Sequence, residues 1–287
     1  MNRAVAYACA KVNLGLKVLG RRADGYHDIL SIFQTVDLCD RLIFEPAARG
    51  ATEILCDDPG IPTGRENLVF QAVEALREAT GTENGIRVVL EKRIPAGAGL
   101  GGGSSDAAAA LRVLDGMWGL RLSGARLKGL AGDLGSDVPF FLRRGTAVVT
   151  GRGERLRYIP WQADFHYVLV HPGFQVSSGW AYRNLKIALT EASRYVNLLG
   201  SVQENGEVCA DVLFTCLEND FLPLLKATHP EVDAILSALE ASGASACSLS
   251  GSGSTLYGVF REGKQAAEAA RGLRTRGYRV SLCRPKV

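Results

Sequence analysis

The residues with the clearest chemical meaning form one run: Pro95, Ala96, Gly97, Ala98, Gly99, Leu100, Gly101, Gly102, Gly103, Ser104, Ser105, Asp106, Ala107 and Ala108. Five of the seven residues from 97 to 103 are glycine. Without a Cβ they reach positive φ and let backbone approach a ligand closely. Two serines and an alanine-rich stretch follow, which predicts a helix opening directly after the loop. The first amides of a helix have no intrahelical acceptor and sit at the positive end of its dipole. Glycine loop plus helix N-terminus is phosphate-binding chemistry. A plain strand-to-helix connector, with Ser104 or Ser105 as N-cap, needs one or two glycines rather than five. A second glycine turn, Gly251-Ser252-Gly253, lies near the C-terminus.

Known nucleotide loops narrow the reading. The Walker pattern needs Gly-Lys-Ser/Thr at the helix start, and no lysine stands there. The dinucleotide pattern G-x-G-x-x-G matches at Gly97, Gly99 and Gly102, but it also requires an acidic residue about 20 positions on, at the end of a second strand. Residues 119–126 contain no acid and lead into another helix. A dinucleotide-binding oxidoreductase is therefore the weaker alternative.

The surrounding pattern supplies the elements. Ala4–Ala10 and Asn13–Gly20 read as two strands about a Lys-Val-Asn turn, with further strands at Leu42–Glu45, Glu53–Cys56, Ile86–Glu91 and Thr146–Thr150. Apolar residues at 68, 69, 72, 73 and 76 predict a helix over Asn67–Thr80. Ser105–Trp118 and Leu122–Leu134 are the next helices. The pattern loosens over Gly151–Pro160, giving a domain boundary and two domains, 1–158 and 159–287. Strand Tyr167–His171 follows, then helices near Trp180–Leu189, Glu218–Lys226 and Glu231–Ser242. Strands Ser245–Ser250 and Thr255–Arg261, helix Lys264–Arg276 and strand Arg279–Cys283 resemble the closing unit of an α+β sandwich. Tyr195–Val208 is polar and reads as an exposed loop.

Composition excludes several classes. Basic and acidic residues balance, 33 against 30, with a net charge of +3 and pI near 8.5. There is no polybasic arm, no acidic tail and no basic stripe with interleaved aromatics, so no nucleic-acid partner is expected. No apolar run approaches a membrane span and no secretory h-region opens the chain, so no membrane partner is expected. Glycine occurs 33 times in 287 residues, well above the usual share of about 7 %. The seven cysteines lack Cys-x-x-Cys pairs and read as free thiols in a reducing cytoplasm. The four histidines lack metal-ligand spacing.

Three motifs together resemble the galactokinase, homoserine kinase, mevalonate kinase and phosphomevalonate kinase (GHMP) superfamily. They are Ala10-Lys11-Val12-Asn13-Leu14, the loop from Pro95 to Ser105, and Leu249-Ser250-Gly251-Ser252-Gly253-Ser254-Thr255. Gly20-Arg21-Arg22-Ala23-Asp24-Gly25-Tyr26-His27 and Gly135-Ser136-Asp137-Val138-Pro139-Phe140-Phe141 resemble a narrower branch whose acceptor is a cytidine-diphosphate polyol of the non-mevalonate isoprenoid route. The resemblance covers essentially the whole chain. It implies a two-domain α+β fold, with an N-terminal domain like domain 2 of ribosomal protein S5 and a ferredoxin-like C-terminal sandwich, the active site lying in the cleft between them. It implies ATP-dependent phosphorylation of the polyol 2-hydroxyl by a cytoplasmic enzyme, the alternative within the same superfamily being a small-molecule kinase acting on a different alcohol. A monomer or weak homodimer is expected.

The same resemblance assigns residues. Lys11 and Asp137 would be the catalytic pair: Asp137 the base, Lys11 keeping it ionised and polarising the hydroxyl. Read alone, Asp137 is equally a helix N-cap and Lys11 a solvated lysine. Pro95–Ser105 would bind ATP, with Asn67 and Lys92 beside adenine or ribose. Asn13 would bind the polyol, Tyr26 and His27 the cytosine, and Gly251, Ser252 and Gly253 would close over the substrate phosphates. Tyr182 is expected to complete the aromatic stack, with Trp180 the rival. Mg²⁺ is expected with ATP, Ser105 being its one candidate ligand. Asp106, just behind the serines, either faces a cation or caps the helix.

Overall fold

The computed structural model describes residues 2–160, 164–186, 193–206 and 208–286. In chain order the elements are β1 (Ala4–Arg21), β2 (His27–Ala47), β3 (Thr52–Cys56), α1 (Leu68–Thr80), β4 (Gly85–Glu91), α2 (Gly102–Met117), α3 (Gly124–Leu134), α4 (Val138–Phe141), β5 (Thr146–Thr150), β6 (Arg155–Ile159), β7 (His166–His171), α5 (Ser178–Asn184), α6 (Arg194–Asn205), α7 (Ala210–Thr215), α8 (Leu222–Thr228), α9 (Glu231–Ala241), β8 (Ala246–Leu249), β9 (Leu256–Phe260), α10 (Gly263–Thr275) and β10 (Arg279–Cys283). Two compact units interleave along the sequence: residues 1–10, 38–96 and 101–144 form the first, and residues 11–37, 97–100 and 145–287 the second.

In the first unit, β4 pairs antiparallel with the C-terminal part of β2 and parallel with β3. α1 buries Val69, Ala72, Val73 and Leu76, the stripe its sequence spacing predicts. Asn67 caps its start by accepting from the Val69 amide, and Gly81, at φ 70°, ends it. α2 packs against α1, α3 and α4. Its tract Ala107–Ala110 is buried, and side chains that small admit close helix contact. α2 leads into α3 rather than a parallel strand, so the dinucleotide alternative lacks the unit it requires.

In the second unit, the N-terminal part of β2 pairs with β5, and β5 with β6. β6 lies within Gly151–Pro160, where the sequence pattern shows no element. A second sheet runs β10-β7-β9-β8, antiparallel throughout. The β8–β9 hairpin, α10 and β10 are as the sequence suggests. α9 and α10 bury Val232, Ile235, Leu236, Leu239, Ala266, Ala269, Ala270 and Leu273 in this unit's core.

Four expectations are corrected. β1 is one strand through Lys11-Val12-Asn13, not two around a turn. Its residues from Ala8 to Val18 are buried whichever way they point, so polar side chains at 11 and 13 mark a buried site rather than a reversal. β2 spans 21 residues, of which only Leu42–Glu45 is legible in the sequence. Residues 194–205 form α6 rather than an exposed loop: Tyr195, Leu199 and Val202, one turn apart, are buried. Finally, Cys9 and Cys39 are joined in a disulfide, against the expectation of free thiols. β1 pairs with β2 and brings together cysteines 30 residues apart, which sequence spacing does not reveal. Cys56, Cys209, Cys216, Cys247 and Cys283 are free. The tail of the helix expected near Trp180–Leu189 lies partly outside the described residues.

Candidate active site

The three sequence motifs meet in the second unit. Leu100 accepts a hydrogen bond from the Lys11 amide (3.0 Å) and Gly99 one from the Ser250 hydroxyl (2.9 Å). Ala98 accepts from the Thr255 amide (3.2 Å), and Gly97 from the Val176 amide (3.4 Å). Four consecutive carbonyls of the glycine loop are thus turned into protein. The Ser250 hydroxyl also accepts from the Asn13 amide (3.2 Å), so one side chain ties all three motifs together. Gly99 is the tightest point. Its φ is +75°, and a Cβ there would lie 2.1 Å from the Ser250 carbonyl oxygen.

Lys11 and Asn13 alternate with apolar neighbours on β1 and are both buried. The Lys11 ammonium donates to Asn13 Oδ1 and lies 4.5 Å from the centre of the Phe33 ring. Asn13 Nδ2 donates to Ser31 Oγ (3.0 Å), which donates to the Gly15 carbonyl (2.6 Å). The Tyr257 hydroxyl donates to the Asn13 carbonyl (2.9 Å). Tyr195, from the segment expected to be a loop, donates to the Leu14 carbonyl (2.6 Å) and accepts from the Ile32 amide (3.1 Å). Its ring occupies the place a Cβ on Gly15 would take. Burial pushes the Tyr195 and Tyr257 hydroxyls well above their usual range, so they act here as donors in their neutral form.

The turn from Gly251 to Gly253 is held from below by Asn219, whose Nδ2 donates to the Leu249 (2.8 Å) and Gly251 (2.9 Å) carbonyls. Ser252 Oγ is 3.0 Å from Ser178 Oγ. His171 Nδ1 meets Thr255 Oγ1 at 3.0 Å, and burial lowers this imidazole to about 4, keeping it neutral. Ser31, Asn219, Tyr257 and His171 are not legible as site residues in the sequence. Each acts by a contact distant along the chain.

The aromatic group is also in this unit. The rings of His27 and Tyr182 are stacked, with centroids 4.8 Å apart and planes at 21°. Tyr182 meets Phe221 edge-on at 4.9 Å. Tyr182, rather than Trp180, is thus the partner of His27. Tyr26 is exposed, and the Arg152 guanidinium lies 4.6 Å from its ring centre. Burial, and to a lesser degree Arg21, lower the His27 pKa, favouring the neutral ring that can both donate and accept.

The first unit carries the helix end. Gly101, at φ 70°, precedes α2 without a side-chain cap, so the amides opening the helix are not claimed by Ser104 or Ser105. Ser105 Oγ instead donates to the Cys9 carbonyl (2.8 Å). Asp106 does not cap the helix either. It faces the Lys92 ammonium at 2.6 Å, together with Asp40. Asn67 spends its side chain on the α1 cap and on the Pro62 carbonyl (2.7 Å). Asp137 immediately precedes α4 and makes no capping bond to it, so the N-cap alternative does not describe its side chain.

Among the described residues, no group of three or more His, Cys, Asp or Glu side chains could hold a metal, and no helix is long and apolar enough to cross a membrane. A Mg²⁺ ion that arrives with a nucleotide is held mainly by phosphate oxygens and water and needs few protein ligands.

The sequence matches the family described as GHMP kinases N terminal domain over residues 67–145, and GHMP kinases C terminal over 198–279. The chain is 40 % identical over 279 residues to the 4-diphosphocytidyl-2-C-methyl-D-erythritol kinase of Pelotomaculum thermopropionicum, covering 97 % of this chain and 96 % of that one. It is 39 % identical over 285 residues to the same enzyme of a Geobacter species, covering 99 % of both. A crystal structure of 4-(cytidine 5'-diphospho)-2C-methyl-D-erythritol kinase matches with a TM-score of 0.79 and 34 % identity, covering 99 % of this chain and 100 % of that one. With both family domains matched and relatives this similar over nearly its whole length, the chain belongs to the GHMP kinase family, as an ATP-dependent small-molecule kinase.

Proposed function

We propose that this kinase transfers the γ-phosphoryl group of ATP to the 2-hydroxyl of 4-diphosphocytidyl-2-C-methyl-D-erythritol, in the cytoplasm, as a step of the non-mevalonate isoprenoid route. The 2-hydroxyl oxygen forms the new bond to phosphorus, the bond from the γ-phosphorus to the bridging oxygen breaks, and ADP leaves. Asp137 accepts the hydroxyl proton. Lys11, its ammonium oriented by Asn13, polarises the same hydroxyl and offsets developing charge. Residues Pro95–Ser105 form the triphosphate cradle; Asn67 and Lys92 flank it on the adenine or ribose side, but their side-chain groups are spent on the α1 cap and on Asp40 and Asp106 rather than on the nucleotide. Asn13 binds the polyol, and Gly251–Gly253 line its phosphates. Tyr26, His27 and Tyr182 read the cytosine. Mg²⁺ would be held by the phosphates with help from Ser105, and when bound it neutralises phosphate charge. The two family domains are taken to divide near residue 158, at 1–158 and 159–287, and the enzyme to act as a monomer or weak homodimer.

The observation that carries this reading is the convergence of Lys11, Asn13, the glycine loop and the Gly251–Gly253 turn through the Ser250 hydroxyl. With four consecutive loop carbonyls turned into protein, the loop's amides are the groups proposed to meet the anion. Specificity for the cytidyl group is tested at the aromatic pair. Stacking on one aromatic ring is worth about 1–3 kcal/mol per base, roughly five- to 150-fold. Tyr182→Ala is expected to raise KM for the cytidyl substrate at least about fivefold and leave KM for ATP within about twofold. A Trp180→Ala enzyme with the larger effect would move the stacking role to Trp180.

A further inference from the structure

Lys92 stands just before the glycine loop, after β4. Its ammonium contacts the carboxylates of both Asp40 and Asp106, the latter at 2.6 Å. The three side chains are almost wholly buried, at 6, 0 and 3 % exposure. Asp40 comes from β2, and its other oxygen accepts from the amides of Arg93 (2.6 Å) and Ile94 (2.9 Å), which lead into the loop. Asp106 lies just after the first turn of α2, the helix that leads out of it. The same two ends meet at Gly102, where a Cβ would lie 3.0 Å from Ile94 Cγ2. All of these residues belong to the first unit.

We propose that Asp40, Lys92 and Asp106 are positioning residues for phosphate binding: together they clamp the segment entering the glycine loop to the helical turn leaving it, so that the helix amides are aimed before ATP arrives. The clamp rests on the reading of Pro95–Ser105 as the triphosphate cradle.

The charge balance supports it. Two carboxylates share one ammonium in a buried site, and Asp106 Oδ1 has no hydrogen-bond donor. An ionised oxygen in that state is costly. One proton on the acid pair makes the cluster neutral. Burial, with the Asp40 charge, raises Asp106 to about 7 against the pull of Lys92. Those two groups, one from β2 and one from the residue after β4, are the charges that face it. A neutral Asp106 also keeps negative charge away from a helix end that must attract phosphate.

The test is calorimetric binding of Mg-ATP to the full chain, with KM and kcat measured alongside. Lys92→Met is expected to weaken ATP binding and raise KM for ATP at least about tenfold, with kcat within about threefold. Asp106 is protonated below its pKa and ionised above it, so wild-type affinity falls as pH rises from 6 to 8. Asp106→Asn, neutral at every pH, matches wild type at pH 6 and loses that fall. A folded Lys92→Met protein with wild-type ATP affinity overturns the clamp. Should Lys92→Met not fold, an Asp106→Asn profile parallel to wild type overturns it. Gly103→Asp is the control for the cradle: Gly103 is exposed, with only Leu68 at 3.7 Å from a Cβ there. If its added charge leaves ATP binding intact, the cradle reading fails instead; if Gly103→Asp blocks ATP while the clamp variants behave as wild type, the clamp alone fails.

Discussion

Asp137→Asn is expected to lower kcat by about 10³-fold, within the 10²–10⁴ range of a lost general base, while ATP still binds within about twofold of wild type. Asparagine keeps the shape of the side chain but loses its negative charge and the ability to take a proton. The Asp137 backbone is anchored by its C-terminal neighbours: Val138, Pro139, Phe140 and Phe141 are all buried, and the proline sits in the first turn of α4. Because the Asp137 side chain makes no capping bond to α4, the substitution does not remove a cap, and melting temperature is expected to stay within a few degrees. Steady-state turnover and calorimetric titration with ATP separate the effects. Activity near wild type would remove Asp137 from the base role.

Gly99→Ala is expected to be the most damaging change in the glycine loop. An L-residue in the left-handed region costs roughly 1–2 kcal/mol. The added methyl would also meet the Ser250 carbonyl oxygen at 2.1 Å, a backbone atom that cannot swing aside. Relief requires the loop and the third motif to separate, breaking the Ser250 link to the Gly99 carbonyl and disturbing the Thr255 link to Ala98. The expected result is a melting temperature several degrees lower and a KM for ATP raised at least about tenfold. Gly103→Ala, with no close neighbour, is the contrast and should leave melting temperature within about two degrees. Equal effects from the two substitutions would show that the Gly99–Ser250 contact does not hold the loop.

Legibility follows burial. α1, α9 and α10 each bury one face, so their apolar spacing is visible in the sequence. β1 is buried on both sides, which removes the alternation a strand usually shows, and the buried Lys11 and Asn13 imitate a turn. A site that needs polar groups in a core must break the local pattern. α6 carries a faint signal, since Tyr195, Leu199 and Val202 keep helical spacing, but the polar residues around them mask it. The glycine loop and the residues flanking it are legible because phosphate chemistry demands unusual backbone. Ser31, Asn219 and Tyr257 are not, because each matters only through a partner distant in sequence, such as Asn13 for Tyr257 or Gly251 for Asn219. Lys92 is expected near the nucleotide from its place in the sequence; its ammonium is committed to Asp40 and Asp106.

The most direct measurement is phosphorus NMR of the wild-type chain incubated with Mg-ATP and 4-diphosphocytidyl-2-C-methyl-D-erythritol. ADP is expected in step with one new monoester phosphate, on the 2-hydroxyl of the polyol, with the diphosphate bridge intact. No transfer, or phosphate on a different hydroxyl, would contradict the proposed function.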